Sequence, residues 1–199
     1  MISAIILAAG SSTRMGQPKM LLPWGDGTVI SHVISIFAKA GIVDILVITG
    51  AEHKRIEAIV DVHKDRYPVR HVFNAEYAVG GMLSSIQHGL RDLVKKGAEA
   101  AMFGLGDQPQ IEERSVKIIL DSFVGEGHPL IVPSFGRKRG HPWLAGRKYW
   151  NEILQLQADQ TARDFLNRHS EKIHYIETDS ASVLADMDTH EDYLRARRG

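Results

Sequence analysis

Short apolar runs alternate with segments of helical periodicity along the first two-thirds of this chain. The first run, residues 2–7, is almost entirely apolar, as expected for a strand that is covered on both faces. Strands that alternate with helices in this way form βαβ units, in which the strands lie parallel and helices cover both faces of the sheet. The sequence therefore predicts an α/β protein with a Rossmann-like three-layer fold and a mostly parallel central sheet.

The same patterns predict the remaining elements. Further strands are expected at residues 42–48, 69–73, 98–105, 130–132 and 172–177, and helices at residues 29–40, 56–63, 82–94, 116–123, 148–156, 161–169 and 191–197. Gly41 is expected to cap the first helix. Residues 136–142 are polar and glycine-rich, which is typical of a loop. Since no repeat or linker requires a second unit, we expect one domain over residues 1–199.

Composition excludes several classes of function. Lys plus Arg equals Asp plus Glu at 24 each, so the chain lacks the basic excess of most nucleic-acid-binding proteins and no nucleic-acid partner is expected. There is no cysteine, which excludes disulfides, thiolate metal sites and cysteine nucleophiles. No apolar run approaches the roughly 18–20 residues that span a bilayer. We therefore expect no membrane partner and a cytoplasmic location.

The segment after the first predicted strand is rich in small residues and reads LAAGSSTRMGQPK from Leu7 to Lys19. Successive backbone N–H groups in such a segment can bind an anion, and Arg14 and Lys19 add positive charge. The spacing differs from Gly-x-x-x-x-Gly-Lys-Ser/Thr of a P-loop and from Gly-x-Gly-x-x-Gly of a dinucleotide-binding loop. The alternative is that Gly10 and Gly16 only turn the chain, but the two cations favour a triphosphate site.

This segment resembles the signature loop of the nucleotidyltransferases related to the molybdenum cofactor guanylyl- and cytidylyltransferases. That family has the pattern Leu-Ala-Ala/Gly-Gly-x-Ser-x-Arg-Met-Gly-x-x-Lys, and every fixed position is met here. The resemblance implies that Arg14 and Lys19 are catalytic and neutralise phosphate charge. Family members with alanine at the third position tend to use CTP and those with glycine GTP, so Ala9 favours CTP. The implied nucleotide-binding residues of the loop are Leu7, Ala8, Ala9, Gly10, Ser11 and Ser12.

Two acidic segments are candidates for metal binding. Asp107, in Gly-Asp-Gln-Pro after the fourth predicted strand, stands where the family has its metal ligand, which implies Mg²⁺, with Mn²⁺ as the alternative ion. The other interpretation of this tetrapeptide is a turn. Asp188, in Asp-Met-Asp-Thr, resembles a family segment near the C-terminus and is the implied second metal ligand; it also suits the start of a helix. Asp186 is a weaker candidate.

Residues 74–86 resemble the family segment that closes over the base, which implies nucleotide contacts from Asn74, Gly80, Gly81 and Ser84. The alternative is a loop that leads into a helix cap. The acceptor side is indicated by Arg139, Gly140, His141 and Pro142, which match a family Arg-Gly-His-Pro motif within a local basic cluster at residues 137–139. Such a cluster attracts a phosphate; its other interpretation is a solvated loop.

The resemblance implies that residues 1–133 bind the nucleotide and residues 134–199 form the acceptor-binding and C-terminal part. The predicted function is nucleotidyl transfer from CTP to a molybdopterin-type acceptor, with a molybdoenzyme as a candidate further partner. Two alternatives stay open. One is a guanylyl- or other nucleotidyltransferase acting on a sugar phosphate or another small phosphate. The other is a non-catalytic chaperone that binds molybdenum cofactor.

Overall fold

The computed structural model describes residues 1–197 and consists of a central sheet flanked by helices. The strands are β1 (Ile2–Ala8), β2 (Pro23–Trp24), β3 (Gly27–Thr28), β4 (Ile45–Thr49), β5 (Val69–Phe73), β6 (Ala100–Leu105), β7 (Leu130–Phe135), β8 (Lys138–Arg139), β9 (Trp143–Gly146) and β10 (His174–Glu177). The helices are α1 (Val29–Lys39), α2 (His53–His63), α3 (Tyr77–Lys96), α4 (Glu113–Glu126), α5 (Trp150–Leu154), α6 (Ala162–Arg168) and α7 (His190–Ala196).

Seven strands follow one another across the sheet in the order β10-β7-β9-β6-β1-β4-β5, and β8 pairs with β7. The pairs β1–β4, β1–β6, β4–β5 and β7–β10 are parallel. Strand β9 is antiparallel to both of its neighbours, β6 and β7. The prediction of an α/β fold with a mostly parallel central sheet is confirmed.

Alternate residues of β1 face opposite helical layers. Ala4, Ile6 and Ala8 belong to the core that contains buried residues of α1, α2 and α4. Ile5 and Leu7 belong to the core formed with α3, α5 and α6. Because side chains alternate across a strand, burial of both faces makes the whole strand apolar. This arrangement produces the three layers that the sequence predicts.

Some predicted boundaries differ from the structure. The second long strand begins at Ile45 rather than residue 42, because Asp44 lies at its start and accepts hydrogen bonds from Arg70 (Nε to Oδ1, 2.8 Å). Helix α3 begins at Tyr77, five residues before the predicted start, and is broken at Gly81 (φ 57°, ψ −151°). Gly41, with φ 98°, turns the chain after α1 as predicted.

The glycine-rich segment 136–142 contains a hairpin where only a loop was expected. Gly136 and Arg137 both have positive φ, 55° and 64°, as a two-residue type I′ turn requires. The turn pairs β8 antiparallel to the end of β7, with Ser134 opposite Arg139. It thereby fixes the position of the Arg139 backbone at the edge of the sheet.

Strand β9 was not predicted. Its residues are buried, and the Trp143 ring stacks on Phe103 of β6 with ring centroids 4.2 Å apart. Within residues 1–197, no helix has the length and apolar character needed to cross a bilayer.

Candidate active site

A cavity of about 1260 Å³ lies beyond the carboxyl ends of β1 and β6, where ligands of parallel sheets usually bind. It exceeds the roughly 300–1,000 Å³ of pockets for drug-sized ligands, so it is large for a single small ligand. The predicted site residues that line it are Leu7, Ala9, Gly10, Ser11, Ser12, Arg14, Lys19, Gly81, Asp107, Arg139, His141 and Asp188. The predicted residues outside its wall are Ala8, Asn74, Gly80, Ser84, Gly140 and Pro142.

The loop after β1 presents unused backbone donors to this cavity. Ser12 has φ 52°, its hydroxyl accepts a hydrogen bond from the Lys19 backbone (3.2 Å), and its carbonyl accepts one from Met15 (3.1 Å). The backbone N–H groups of residues 10–14 donate no hydrogen bond to any of the residues 1–197 that the structure describes. Successive free N–H groups in a curved segment form an anion-binding concavity. Together with Arg14 at its rim, the loop suits a polyphosphate.

Lys19 joins two carboxylates that are far apart in sequence. Its ammonium group forms ion pairs with Asp107 and with Asp188, the latter at 3.1 Å, and its side chain is only 13% exposed. Burial alone would lower the pKa of Lys19, but attraction to Asp107 and Asp188 outweighs it and raises that pKa above its ordinary value. Arg14 contacts the other oxygen of Asp188 at 2.5 Å. The structure therefore brings the predicted residues Arg14, Lys19, Asp107 and Asp188 together.

Adjacent strands and helices position the carboxylates of Asp107 and Asp188 beside Lys19. Asp107 follows β6, and the preceding Gly106 donates its backbone N–H to the carbonyl of Leu7 (3.0 Å). Asp188 precedes α7, whose first turn is capped by reciprocal hydrogen bonds between Thr189 and Asp192. Tyr193 of the same helix donates a hydrogen bond from its hydroxyl to the carbonyl of Pro23 in β2 (2.7 Å).

A third carboxylate increases the negative charge at the cavity floor. Partial desolvation, followed by the charges of Asp107 and Asp188, raises the pKa of Asp186 above its ordinary range. Gln108 is buried, and its side-chain amide donates to Asp186 (3.2 Å). Asp107 and Asp188 already share one cation, the Lys19 ammonium, so this donor set fits a hard divalent ion.

Residues 74–86 support the cavity wall through internal hydrogen bonds. Asn74 is buried and donates to the hydroxyls of Ser84 (2.9 Å) and Ser85 (3.1 Å). A Cβ atom on Gly80 would lie 2.4 Å from Cβ of Ser84, so Gly80 packs directly against that serine. The side-chain amide donors of Asn74 are thus used within the protein, and we expect Asn74, Gly80 and Ser84 to shape the wall rather than touch the nucleotide. Of the predicted set, Gly81 faces the cavity.

The acceptor side is organised around Arg139. Its Nε and Nη2 donate to the hydroxyl of Tyr175 (2.9 and 2.7 Å), and its Nη1 donates to Asn167 (2.6 Å). Arg137, Lys138 and Arg163 also line the cavity. Sequence reasoning missed Tyr175 and Asn167, because no local motif links them to an arginine 36 and 28 residues away. Their contacts hold the guanidinium in one orientation at the rim of the cavity.

His141 is neutral near pH 7. Burial lowers its pKa to about 4, although the nearby charge of Asp107 opposes the shift. Its backbone N–H donates to the Val183 carbonyl (2.9 Å). Gly140 and the buried Pro142 lie behind the wall, and a Cβ on Gly140 would lie 2.5 Å from the same carbonyl oxygen. The Arg-Gly-His-Pro motif thus contributes two side chains to the cavity and two residues to its support.

Replacing Gly140 by alanine should destabilise the fold by about 1–3 kcal/mol, because the added methyl group would overlap the Val183 carbonyl and force the backbone to shift. Gly125→Ala is the matched control, since its Cβ meets no atom within 4 Å. We expect this helical substitution to be neutral or stabilising. Urea unfolding of both variants measures the difference; equal stability of the two would contradict the close approach at Gly140.

His141 should make stability depend on pH. Its pKa is about 4 in the folded protein against 6.5 for the free side chain, so the unfolded chain binds more protons between these values. Stability is therefore complete above about pH 6.5 and falls as the pH drops to 4, by roughly 3 kcal/mol for this group. Urea unfolding across this range should show a shallower loss for His141→Gln than for the wild type. Parallel pH profiles would contradict the lowered pKa.

The chain is similar in sequence to a known family of proteins. A family profile described as MobA-like NTP transferase domain matches residues 4–173. The chain is 26% identical over 197 residues to the molybdenum cofactor cytidylyltransferase of Escherichia coli, covering 98% of this chain and 95% of that protein. It is also 26% identical to a probable molybdenum cofactor guanylyltransferase of Bacillus mycoides, covering 98% and 96%.

Solved structures show the same fold over the full chain. The crystal structure of Rv0371c from Mycobacterium tuberculosis has a TM-score of 0.83 and 27% identity, with 100% of this chain and 97% of that one covered. A complex of Rv0371c with manganese gives a TM-score of 0.79 at 25% identity, with 100% and 98% covered. The family matched by profile spans most of the chain, so the resemblance seen in the sequence is confirmed: this protein belongs to the MobA-like NTP transferase domain family and is a nucleotidyltransferase.

Proposed function

We propose that this protein transfers the cytidylyl group of CTP to the phosphate of a molybdopterin-type acceptor. The observation that carries the proposal is the arrangement of one cavity. The loop after β1 with Lys19, the carboxylates of Asp107 and Asp188, and the side chains of Arg139 and His141 all line this cavity, and Lys19 pairs with both carboxylates. A nucleotide and a phosphorylated acceptor can therefore approach each other over the carboxylates.

The chemistry follows from these positions. An oxygen of the acceptor phosphate attacks the α-phosphorus of CTP, the bond from that phosphorus to the bridging oxygen breaks, and pyrophosphate leaves. Arg14 and Lys19 stabilise the charge that builds on the leaving group. The acceptor phosphate is ionised near neutral pH, so the reaction requires no general base. Neutral His141 serves as a hydrogen-bond partner that orients the acceptor.

Asp107 and Asp188 are the residues that would hold a divalent ion, which would supply Lewis-acid stabilisation of phosphate charge. Mg²⁺ is our proposal for this ion, with Mn²⁺ as the alternative; the Mn²⁺ in the related Rv0371c complex supports a divalent ion of this class. The close pairing of both carboxylates with the Lys19 ammonium supports it further. On binding of nucleotide, Lys19 would exchange its carboxylate partners for phosphate oxygens.

We also propose a division of the chain in which residues 1–133 bind the nucleotide and residues 134–199 form the acceptor-binding and C-terminal part. Arg139, Asn167 and Tyr175 support the second half of this statement, because they form one hydrogen-bonded group at the rim. The choice of CTP rests on Ala9, which lines the cavity. The names of the relatives include both cytidylyl- and guanylyltransferases, so the base requires a direct test.

Pyrophosphate release from CTP, GTP, ATP and UTP, each with molybdopterin and Mg²⁺, tests the proposal. We expect release with CTP and far less with the other three. Release with GTP instead would assign the guanylyl reaction. Release of pyrophosphate only when a sugar phosphate or another small phosphate takes the place of molybdopterin would identify that compound as the acceptor. Binding of molybdopterin without release from any nucleotide would support the chaperone alternative.

Tyr175→Phe should weaken acceptor binding specifically, because it removes the hydroxyl that accepts two hydrogen bonds from Arg139. A hydrogen bond to a charged group contributes roughly 1.5–3 kcal/mol, so we expect the KM for the acceptor to rise about tenfold or more. The kcat and the KM for CTP should stay near wild type. Tyr67→Phe is the control, since Tyr67 lies against His63 and outside the cavity wall. An equal rise in both KM values would contradict a role confined to the acceptor.

A further inference from the structure

Glu126, His128 and His174 converge at a surface site away from the active-site cavity. One ligand atom from each lies within 4.8 Å of the other two. The Nε2 atoms of both histidines approach the same carboxylate oxygen of Glu126, at 2.9 Å for His128 and 3.9 Å for His174. The two imidazole rings are stacked, with centroids 3.8 Å apart and planes inclined by 9°. Two imidazole nitrogens and a carboxylate oxygen therefore lie close to one another.

The fold holds these residues on different elements. Glu126 is the last residue of α4, and Gly127 follows with φ 72°, a left-handed conformation that turns the chain directly to His128. His174 is the first residue of the edge strand β10 and pairs with Ile131 of β7. The site thus lies beside the amino ends of β7 and β10, whereas the active-site cavity lies at the carboxyl ends of the parallel strands.

The spacing suits a tetrahedral metal ion. Zinc binds histidine nitrogen and carboxylate oxygen at about 2.0–2.2 Å, which places neighbouring ligand atoms roughly 3.3 Å apart. The observed N–O separations of 2.9 and 3.9 Å lie on either side of this value. The two rings are stacked, so metal binding would rotate the imidazoles out of the stack and turn both ring nitrogens toward one ion. All three side chains are partly exposed, between 34% and 60%, and water can complete the coordination.

The donor set also selects the type of ion. Imidazole favours zinc, copper and nickel, whereas magnesium and calcium prefer oxygen ligands. Two histidines with one glutamate and an open position form a set found in zinc proteins. We propose that Glu126, His128 and His174 bind a borderline divalent transition metal of the zinc class and so link the end of α4 to the edge strand β10.

The bound ion acts on a strand that also serves the active site. Side chains alternate along β10, so His174 and Tyr175 point to opposite faces. Tyr175 accepts the two hydrogen bonds from Arg139 at the acceptor side. An ion bound by both His174 and Glu126, the last residue of α4, would restrict the movement of β10, the strand that contains Tyr175. The metal site itself depends on neither the nucleotide nor the acceptor, so it stands apart from the proposed function.

Calorimetric titration with Zn²⁺, in excess Mg²⁺ and on a chain without an added histidine tag, tests this site. We expect one Zn²⁺ per chain, and a Kd increased on the order of a hundredfold in His128→Ala and in His174→Ala, because each removes one ligand. Glu126→Gln keeps the size of the side chain and removes its charge, so it should also weaken binding. Circular dichroism checks that each variant is folded.

Two control variants separate this site from other positions. His71→Ala should bind Zn²⁺ like the wild type, since the two ring nitrogens of His71 face different carboxylates, Glu57 and Asp61, and form no chelate. Asp107→Asn should also bind like the wild type. Absence of stoichiometric binding, equal binding by the His128→Ala/His174→Ala double variant, or loss of binding in Asp107→Asn would each overturn the proposal.

Discussion

Replacing Asp107 by asparagine should lower kcat by on the order of a thousandfold while leaving the fold intact. The substitution keeps the size of the side chain but removes the charge that pairs with Lys19 and that would hold a divalent ion. Removing one preorganised electrostatic contact from an active site costs roughly 10²–10³ in rate, and loss of a metal ligand adds to this. Pyrophosphate release at saturating CTP and acceptor measures the effect.

Asp159→Asn is the matched control, because Asp159 is exposed and outside the cavity wall. It should retain wild-type kcat. Urea unfolding of both variants separates a catalytic effect from a loss of structure. Wild-type turnover by a folded Asp107→Asn variant would show that Asp107 takes no part in the reaction.

Replacing Lys19 by methionine should lower kcat by roughly a hundredfold and strengthen Mn²⁺ binding in the absence of nucleotide. The rate falls because the ammonium that would neutralise phosphate charge is lost. The affinity rises because the ammonium no longer competes for Asp107 and Asp188. Removing a neighbouring positive charge from two partly buried carboxylates favours any other cation there. Calorimetric titration with Mn²⁺ measures the second effect independently of activity.

Lys54→Met provides the control for charge alone, since Lys54 is exposed on α2. Both kcat and Mn²⁺ affinity should remain at wild-type values in this variant. A Lys19→Met chain that bound Mn²⁺ more weakly than the wild type would contradict the competition between the ammonium and the metal.

The three layers could be predicted because burial on both faces leaves a clear pattern. Strands such as β1 and β4 are apolar throughout, and the intervening helices repeat apolar residues on one side. Strand β9 leaves no such pattern, because four residues, Trp143–Gly146, are too few to separate a strand from a loop or a helix start. Its antiparallel position between β6 and β7 depends on long-range pairing that local sequence does not encode.

The charged part of the candidate site could also be predicted, because the loop after the first strand and the resemblance to the family indicated Lys19, Asp107 and Asp188, and these side chains pair with one another in the structure. The hydrogen bonds that support these side chains could not be predicted from the sequence. Asn74 stands in a motif, yet its amide bonds to Ser84 and Ser85 rather than facing the cavity. Tyr175 lies on the edge strand β10, and its contact with Arg139 depends on tertiary structure that the local sequence does not indicate.

Transfer of label from CTP tests the account most directly, because it identifies the phosphorus that is attacked. The protein is incubated with molybdopterin and Mg²⁺, and with CTP labelled at either the α- or the γ-phosphorus. The account predicts that the α label appears in a cytidylylated acceptor and the γ label in pyrophosphate. Appearance of the γ label in the acceptor, or retention of both labels in bound, unchanged CTP, would contradict nucleotidyl transfer at this site.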